Sequence, residues 1–74
     1  MYQIKKDMVD KIKDGRTNVY LSEQLGITPT YIGNILKGYK CTSLMAKSFI
    51  SIREQIAIND ERMGNFLNYY FNEI

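Results

Sequence analysis

The chain has 74 residues, 45% of them hydrophobic, and a formal net charge of +2, which together indicate one small folded domain. It has no histidine and one cysteine, Cys41, which excludes a Ser–His–Asp triad, histidine-based and cysteine-rich metal sites and an internal disulfide. No stretch approaches the roughly 18–20 apolar residues of a membrane span, and the N-terminus lacks the apolar run of a signal peptide. We therefore expect a cytoplasmic protein that is not an enzyme and needs neither metal nor cofactor.

The first predicted element is a helix over residues 2–14. Ile4, Met8 and Ile12 recur at the i, i+4, i+8 spacing of one helix face, and charged residues fill most of the other positions. We expect Gly15 to end this helix and its apolar face to pack on the elements that follow.

Residues 17–37 predict two short helices joined by a tight turn. The first spans residues 18–25, and Gly26 stops it because glycine adopts a left-handed conformation without steric cost. The second begins at Thr28 and Pro29, since threonine is a good N-cap and proline fits the first helical position. Its apolar side is formed by Ile32, Ile35 and Leu36, and its opposite side carries no large apolar group.

Three positions in this stretch follow a recurring pattern. Ser22 is a small residue in the first helix, Gly26 follows it by four positions in the turn, and Ile32 is a β-branched residue six positions later. The supporting apolar positions are filled by Leu21, Leu25, Ile27 and Ile35. On these residues the chain resembles the helix-turn-helix DNA-binding proteins of the phage repressor and Cro (lambda repressor-like, XRE) family. The alternative is a helical hairpin with no role in DNA binding.

The resemblance implies an all-α, five-helix domain over residues 1–74, with a recognition helix that lies in the major groove. It places four residues at the base edges, namely Thr30, Tyr31, Gly33 and Asn34. It places five at phosphates, namely Thr17, Asn18, Lys37, Tyr39 and Lys40. Asn18 stands where the family often has glutamine, and Pro29 occupies a position that often carries a base-reading side chain. Gly33 either permits close approach to DNA or avoids a clash with another helix.

The segment after the motif predicts two further helices. Thr42 or Ser43 caps one that runs to about residue 56 or 57, with an apolar stripe that includes Leu44. The last helix covers residues 59–73, with Asp60 and Glu61 in its first turn. Aromatic and large apolar residues crowd its end, and we expect some of them to form a dimer interface, namely Phe66, Tyr69, Tyr70 and Ile74. The alternative is that all of these side chains belong to the core.

Positive charge is concentrated around the motif. Residues 16–47 hold Arg16, Lys37, Lys40 and Lys47 against Glu23 alone, whereas residues 48–74 carry more acids than bases. This distribution suits a DNA-facing surface. The sequence thus predicts a homodimeric, sequence-specific transcription regulator that binds double-stranded DNA at a pseudo-palindromic operator. A repressor of a phage or mobile element is the favoured form, and no membrane or small-molecule ligand is implied.

Two other classes of function remain open at this stage. An architectural or recombination accessory protein would use the same DNA contacts without repressing. A protein-binding antirepressor or inhibitor of a host enzyme would reuse the fold, and the modest net charge and aromatic C-terminus leave room for it.

Overall fold

The computed structural model describes all residues, Met1–Ile74, as a mostly helical domain with five α-helices and a two-stranded sheet. Strand β1 is Tyr2–Ile4, and a 3₁₀ turn at Lys6–Met8 leads into α1 at Val9–Lys13. The remaining helices and the final strand follow in chain order: α2 Asn18–Leu25, α3 Pro29–Leu36, α4 Ser43–Glu54, α5 Met63–Tyr70 and β2 Phe71–Glu73. None of these helices has the length and apolar character needed to cross a membrane.

The prediction of one helix over residues 2–14 is wrong. Tyr2–Ile4 is extended and pairs antiparallel with Phe71–Glu73, with Gln3 directly opposite Asn72. On its other side Tyr2 exchanges two backbone hydrogen bonds of 2.8 Å with Cys41. These partners are distant in sequence, so the hydrogen bonds that hold the segment extended are tertiary. The helix that remains ends at Lys13, where Asp14 and Gly15 both take left-handed conformations.

The predicted last helix over residues 59–73 is too long at both ends. The Asp60 carboxylate accepts hydrogen bonds from the backbone and guanidinium of Arg62, which makes a turn before α5 begins at Met63. This Arg62 contact also lowers the pKa of the Asp60 carboxyl. At the other end the chain leaves the helix at Phe71 and joins β1, because the backbone groups of residues 71–73 pair with residues 2–4. The prediction of an all-α, five-helix domain therefore has the right number of helices but lacks the two-stranded sheet.

Every α-helix and both strands contribute buried residues to the core. Helix α2 packs on α3, α4 packs on α1 and α5, and β1 lies against the end of α3. Ile4 and Ile12 are buried as their spacing predicts, whereas Met8 is half-buried. The largest fully buried side chains are Tyr70, Phe49 and Phe71, so the C-terminal segment supplies much of the core volume.

Candidate nucleic-acid interface

The pair formed by α2 and α3 has the local structure that its sequence predicts. Thr17 caps α2 by accepting a hydrogen bond from the Tyr20 N–H at 3.0 Å, and Thr28 caps α3 by accepting one from the Tyr31 N–H at 3.1 Å. Gly26 ends α2 with φ +68°, and its N–H donates to the Ser22 carbonyl at 2.9 Å. Only two residues, Ile27 and Thr28, separate Gly26 from the start of α3, which fixes the second helix closely against the first.

Burial fixes which side of α3 faces outward. Ile32 and Ile35 have no exposed surface, so the side of the helix that carries them is locked into the core. Thr30 is exposed, Asn34 is half-buried and Lys37 at the C-cap is exposed. The outward side of α3 is therefore a polar strip, and no acidic residue belongs to the helix.

Ser22, the small residue of the sequence pattern, is buried in α2. It is 7% exposed and is the only buried polar residue of the chain. Its hydroxyl donates to the Val19 carbonyl at 2.7 Å, so its polar group is satisfied within α2. Its burial therefore leaves no unsatisfied hydroxyl group.

Gly33 faces α2 at its N-terminal end. A Cβ added to Gly33 would lie 3.8 Å from Asn18 Nδ2, which is an ordinary van der Waals distance. Packing inside the chain therefore does not require glycine at this position. The explanation that Gly33 avoids a clash with another helix therefore loses its support.

Asn18 is half-buried between α2 and α3 and does not stand free on the surface. Its Oδ1 is the one buried side-chain polar atom that has no hydrogen-bond partner. An unsatisfied buried acceptor costs about 1–3 kcal/mol, and such groups call for a specific explanation. Asn18 thus lies at the boundary between the two helices with hydrogen-bonding capacity still unused.

The other expected phosphate-contacting side chains lie at the surface around this pair. Thr17, Lys37, Tyr39 and Lys40 are all exposed. The four ion pairs of the molecule all use arginine, so neither lysine is neutralised by a carboxylate of the chain. Both ammonium groups are therefore available to an external anion.

The prediction that Tyr70 lies at a dimer interface is wrong. It is 1% exposed, and its hydroxyl donates to Glu54 Oε2 at 2.5 Å, so it anchors α5 to α4 inside the monomer. Phe66 is half-buried and stacks on Tyr70. Tyr69 and Ile74 are exposed, at 42% and 54%. The Lys11 ammonium group donates a hydrogen bond of 2.7 Å to the Tyr69 hydroxyl. Only Tyr69 and Ile74 remain well placed to meet a partner.

Sequence reasoning missed the exposure of Leu44, and several other large apolar residues are also exposed. Leu44, expected in the apolar stripe of α4, is 63% exposed in the first turn of that helix, just after the Thr42 cap. Tyr39 is exposed in the preceding loop, and Val19 and Tyr20 are exposed on α2. The helical spacing of Leu44 in α4 predicts a buried side chain. It does not predict the observed exposure, because the first turn of a helix often projects past the core.

No group of three or more histidine, cysteine, aspartate or glutamate residues is placed to hold a metal ion. Cys41 is buried, and burial raises the pKa of its thiol, which keeps it protonated at neutral pH.

Comparisons with protein-family models, with curated proteins and with solved structures return no match.

Proposed function

We propose that the chain is a sequence-specific DNA-binding regulator with a lambda repressor-like helix-turn-helix formed by α2 and α3. The observation that carries the proposal is the division of α3 into two sides. Ile32 and Ile35 are completely buried, while the opposite side is polar and carries the exposed Thr30 and Lys37 and the half-buried Asn34. A helix held in this way can enter a major groove without disturbing the core.

The mechanism assigns a different role to each group of residues. Asn34 can pair bidentately with adenine, and Thr30 can offer its hydroxyl or place its methyl group against thymine, with Tyr31 beside it. Lys37 and Lys40 hold phosphates and set the register together with Thr17, Asn18 and Tyr39. Each phosphate contact contributes roughly one unit to the slope of log affinity against log salt. Repression follows when the bound protein covers a promoter, as in Cro-like proteins of phages and mobile elements.

Loss of base contacts provides the direct test. We expect Asn34→Ala and Thr30→Ala each to weaken binding at the preferred site by about 1–3 kcal/mol and to change binding to random DNA much less. The preferred site is first obtained by selection from genomic fragments, and affinities are measured by gel shift. Asn68→Ala, which removes an exposed asparagine side chain from α5, is the matched control and leaves both affinities unchanged. Equal losses on the two DNAs would show that Asn34 and Thr30 do not read sequence.

Gly33 gives a second test in which stability and binding move in opposite directions. Alanine fits sterically at this position, so Gly33→Ala is expected to stabilise the fold by about 1 kcal/mol and raise Tm by roughly 4–8 °C. The added methyl group would meet the DNA if the backbone approaches it closely, and binding at the selected site would weaken. A stabilised variant with wild-type affinity would remove Gly33 from the interface.

A homodimer would place two recognition helices roughly 34–36 Å apart and match a pseudo-palindromic operator. We expect the exposed side chains of Tyr69 and Ile74 to form the contact between the two protomers. We expect sedimentation equilibrium to show a dimer that dissociates more readily in Tyr69→Ala and Ile74→Ala. Point variants are required because a truncation after Asn65 would remove Leu67, Tyr70 and Phe71 from the core. A wild type that stays monomeric on its DNA site would refute the dimer.

The exposed apolar groups favour one alternative. Val19 and Tyr20 on α2, Tyr39 after α3 and Leu44 at the start of α4 are exposed, and such side chains suit a protein partner better than a phosphate backbone. An antirepressor or enzyme inhibitor would use them and would fail to shift either genomic or random DNA. A DNA-architectural or recombination accessory protein would shift DNA but protect an attachment site in place of a promoter.

A further inference from the structure

A cleft of 310 Å³ opens beside the C-terminal end of α3, and none of the expected base-contacting residues lines it. Its walls come from the two strands, the segment that leads into α1 and the end of α3. Its lining includes Gln3, Lys6, Val9, Leu36, Lys37 and Asn72. Its volume lies at the lower end of the range for small-molecule sites, which run from about 300 to 1,000 Å³.

The charges around the cleft have one sign. Lys6 and Lys37 both line it, and none of its lining residues is acidic. Neither lysine belongs to an ion pair, since every ion pair in the molecule uses arginine. Two unpaired ammonium groups around one concavity create a positive potential that attracts an anion of matching size.

The polar wall of the cleft is held rigidly in place. Gln3 and Asn72 are directly opposite each other in the sheet, so their carboxamides project on the same face. Gln3 Nε2 also donates to the Gly38 carbonyl at 2.5 Å, which ties β1 to the end of α3. The Gln3 amide oxygen is left to accept from a ligand hydroxyl, and Val9 and Leu36 supply apolar surface for its carbon skeleton.

We propose that this cleft binds the phosphate group of a small organic molecule such as a sugar phosphate, with Lys6 and Lys37 at the phosphate and Gln3 and Asn72 at its hydroxyl groups. A DNA backbone phosphate has the same charge chemistry, so the experiment separates the two sources. If the proposed DNA-binding function holds, a bound sugar phosphate occupies Lys37 and competes with DNA for it.

The first arm of the test uses no DNA and therefore does not depend on the proposed function. The full chain, labelled with ¹⁵N, is titrated with glucose 6-phosphate, with inorganic phosphate and with glucose. We expect saturable shifts at the backbone amides of residues 3–6, 36–38 and 72 with the sugar phosphate, weaker ones with inorganic phosphate and none with glucose. Lys6→Ala and Lys37→Ala should each weaken binding about tenfold or more, whereas Lys13→Ala, outside the cleft, should not.

The second arm measures the salt dependence of DNA binding for Lys6→Ala. Saturable sugar-phosphate binding in the first arm supports the free molecule as the source. No such binding, together with a slope reduced by about one unit, overturns the small-molecule proposal and assigns the site to a DNA backbone phosphate. The proposal is overturned if neither effect is found, or if the shifts in the first arm spread equally to lysines outside the cleft.

Discussion

Ser22→Leu is expected to unfold the domain or lower its stability by about 3 kcal/mol, at the upper end of the range for overpacking. Ser22 is 7% exposed on α2, which packs on α3, and leucine would replace its hydroxyl group with three carbon atoms in this buried position. A domain of this size has only a few kcal/mol to lose. Thermal unfolding followed by circular dichroism measures the change.

Ser22→Ala is the matched control for this experiment. It removes the hydrogen bond to the Val19 carbonyl but adds no volume, so we expect a loss within about 1 kcal/mol. If Ser22→Leu melted like the wild type, α2 and α3 would not cross at Ser22 and the helix-turn-helix interpretation would fail.

Substitutions of Gly26 test the backbone conformation of the turn between α2 and α3. A Cβ at Gly26 meets nothing within 4 Å, so the cost of a side chain there comes only from its φ of +68°. Gly26→Val should cost about 1–3 kcal/mol, and Gly26→Asn much less because asparagine tolerates this conformation. Equal melting temperatures for these two variants would contradict a left-handed residue at the turn.

Tyr70→Ala is expected to cost about 3–5 kcal/mol, as for other buried aromatic residues. Tyr70 is 1% exposed and joins α5 to α4 through its hydrogen bond to Glu54. Tyr70→Phe keeps the ring and leaves Glu54 without this donor, for a loss of about 1–3 kcal/mol. Urea unfolding measures both, and Tyr69→Phe on the exposed neighbour is the control, with a change within about 0.5 kcal/mol. A wild-type midpoint for Tyr70→Ala would contradict its place in the core.

The same residue makes stability depend on alkaline pH. Burial, followed by the hydrogen bond to Glu54, raises the pKa of Tyr70 from its usual 10.0 to about 12. Because the folded-state pKa lies above the unfolded one, the stabilisation is complete below pH 10 and disappears as the pH rises towards 12. The stability difference between wild type and Tyr70→Phe should shrink over this window, and a constant difference would show that Tyr70 does not titrate in this way.

Much of the α2–α3 pair was determined by the sequence itself. Thr17, Gly26, Thr28 and Pro29 act through their own backbone and near neighbours, since caps, a left-handed glycine and a proline at the first helical turn are local effects. The burial of Ile32 and Ile35 follows from helical spacing. The outward side of α3, and with it the candidate site, was therefore predictable from residues a few positions apart.

The conformation and burial of residues at the two ends of the chain were decided only by the tertiary structure. Ile4 has helical spacing with Ile12, yet residues 2–4 form a strand because their backbone partners lie at residues 41 and 71–73. Tyr70 and Tyr69 are adjacent aromatic residues, and no local pattern tells which one meets Glu54 in the core and which one lies at the surface. The cleft at Lys6 and Lys37 also exists only because β1 is bound to the end of α3. Local propensities set the turns and caps of this protein, whereas contacts between distant segments set its sheet, its core aromatic residues and its cleft.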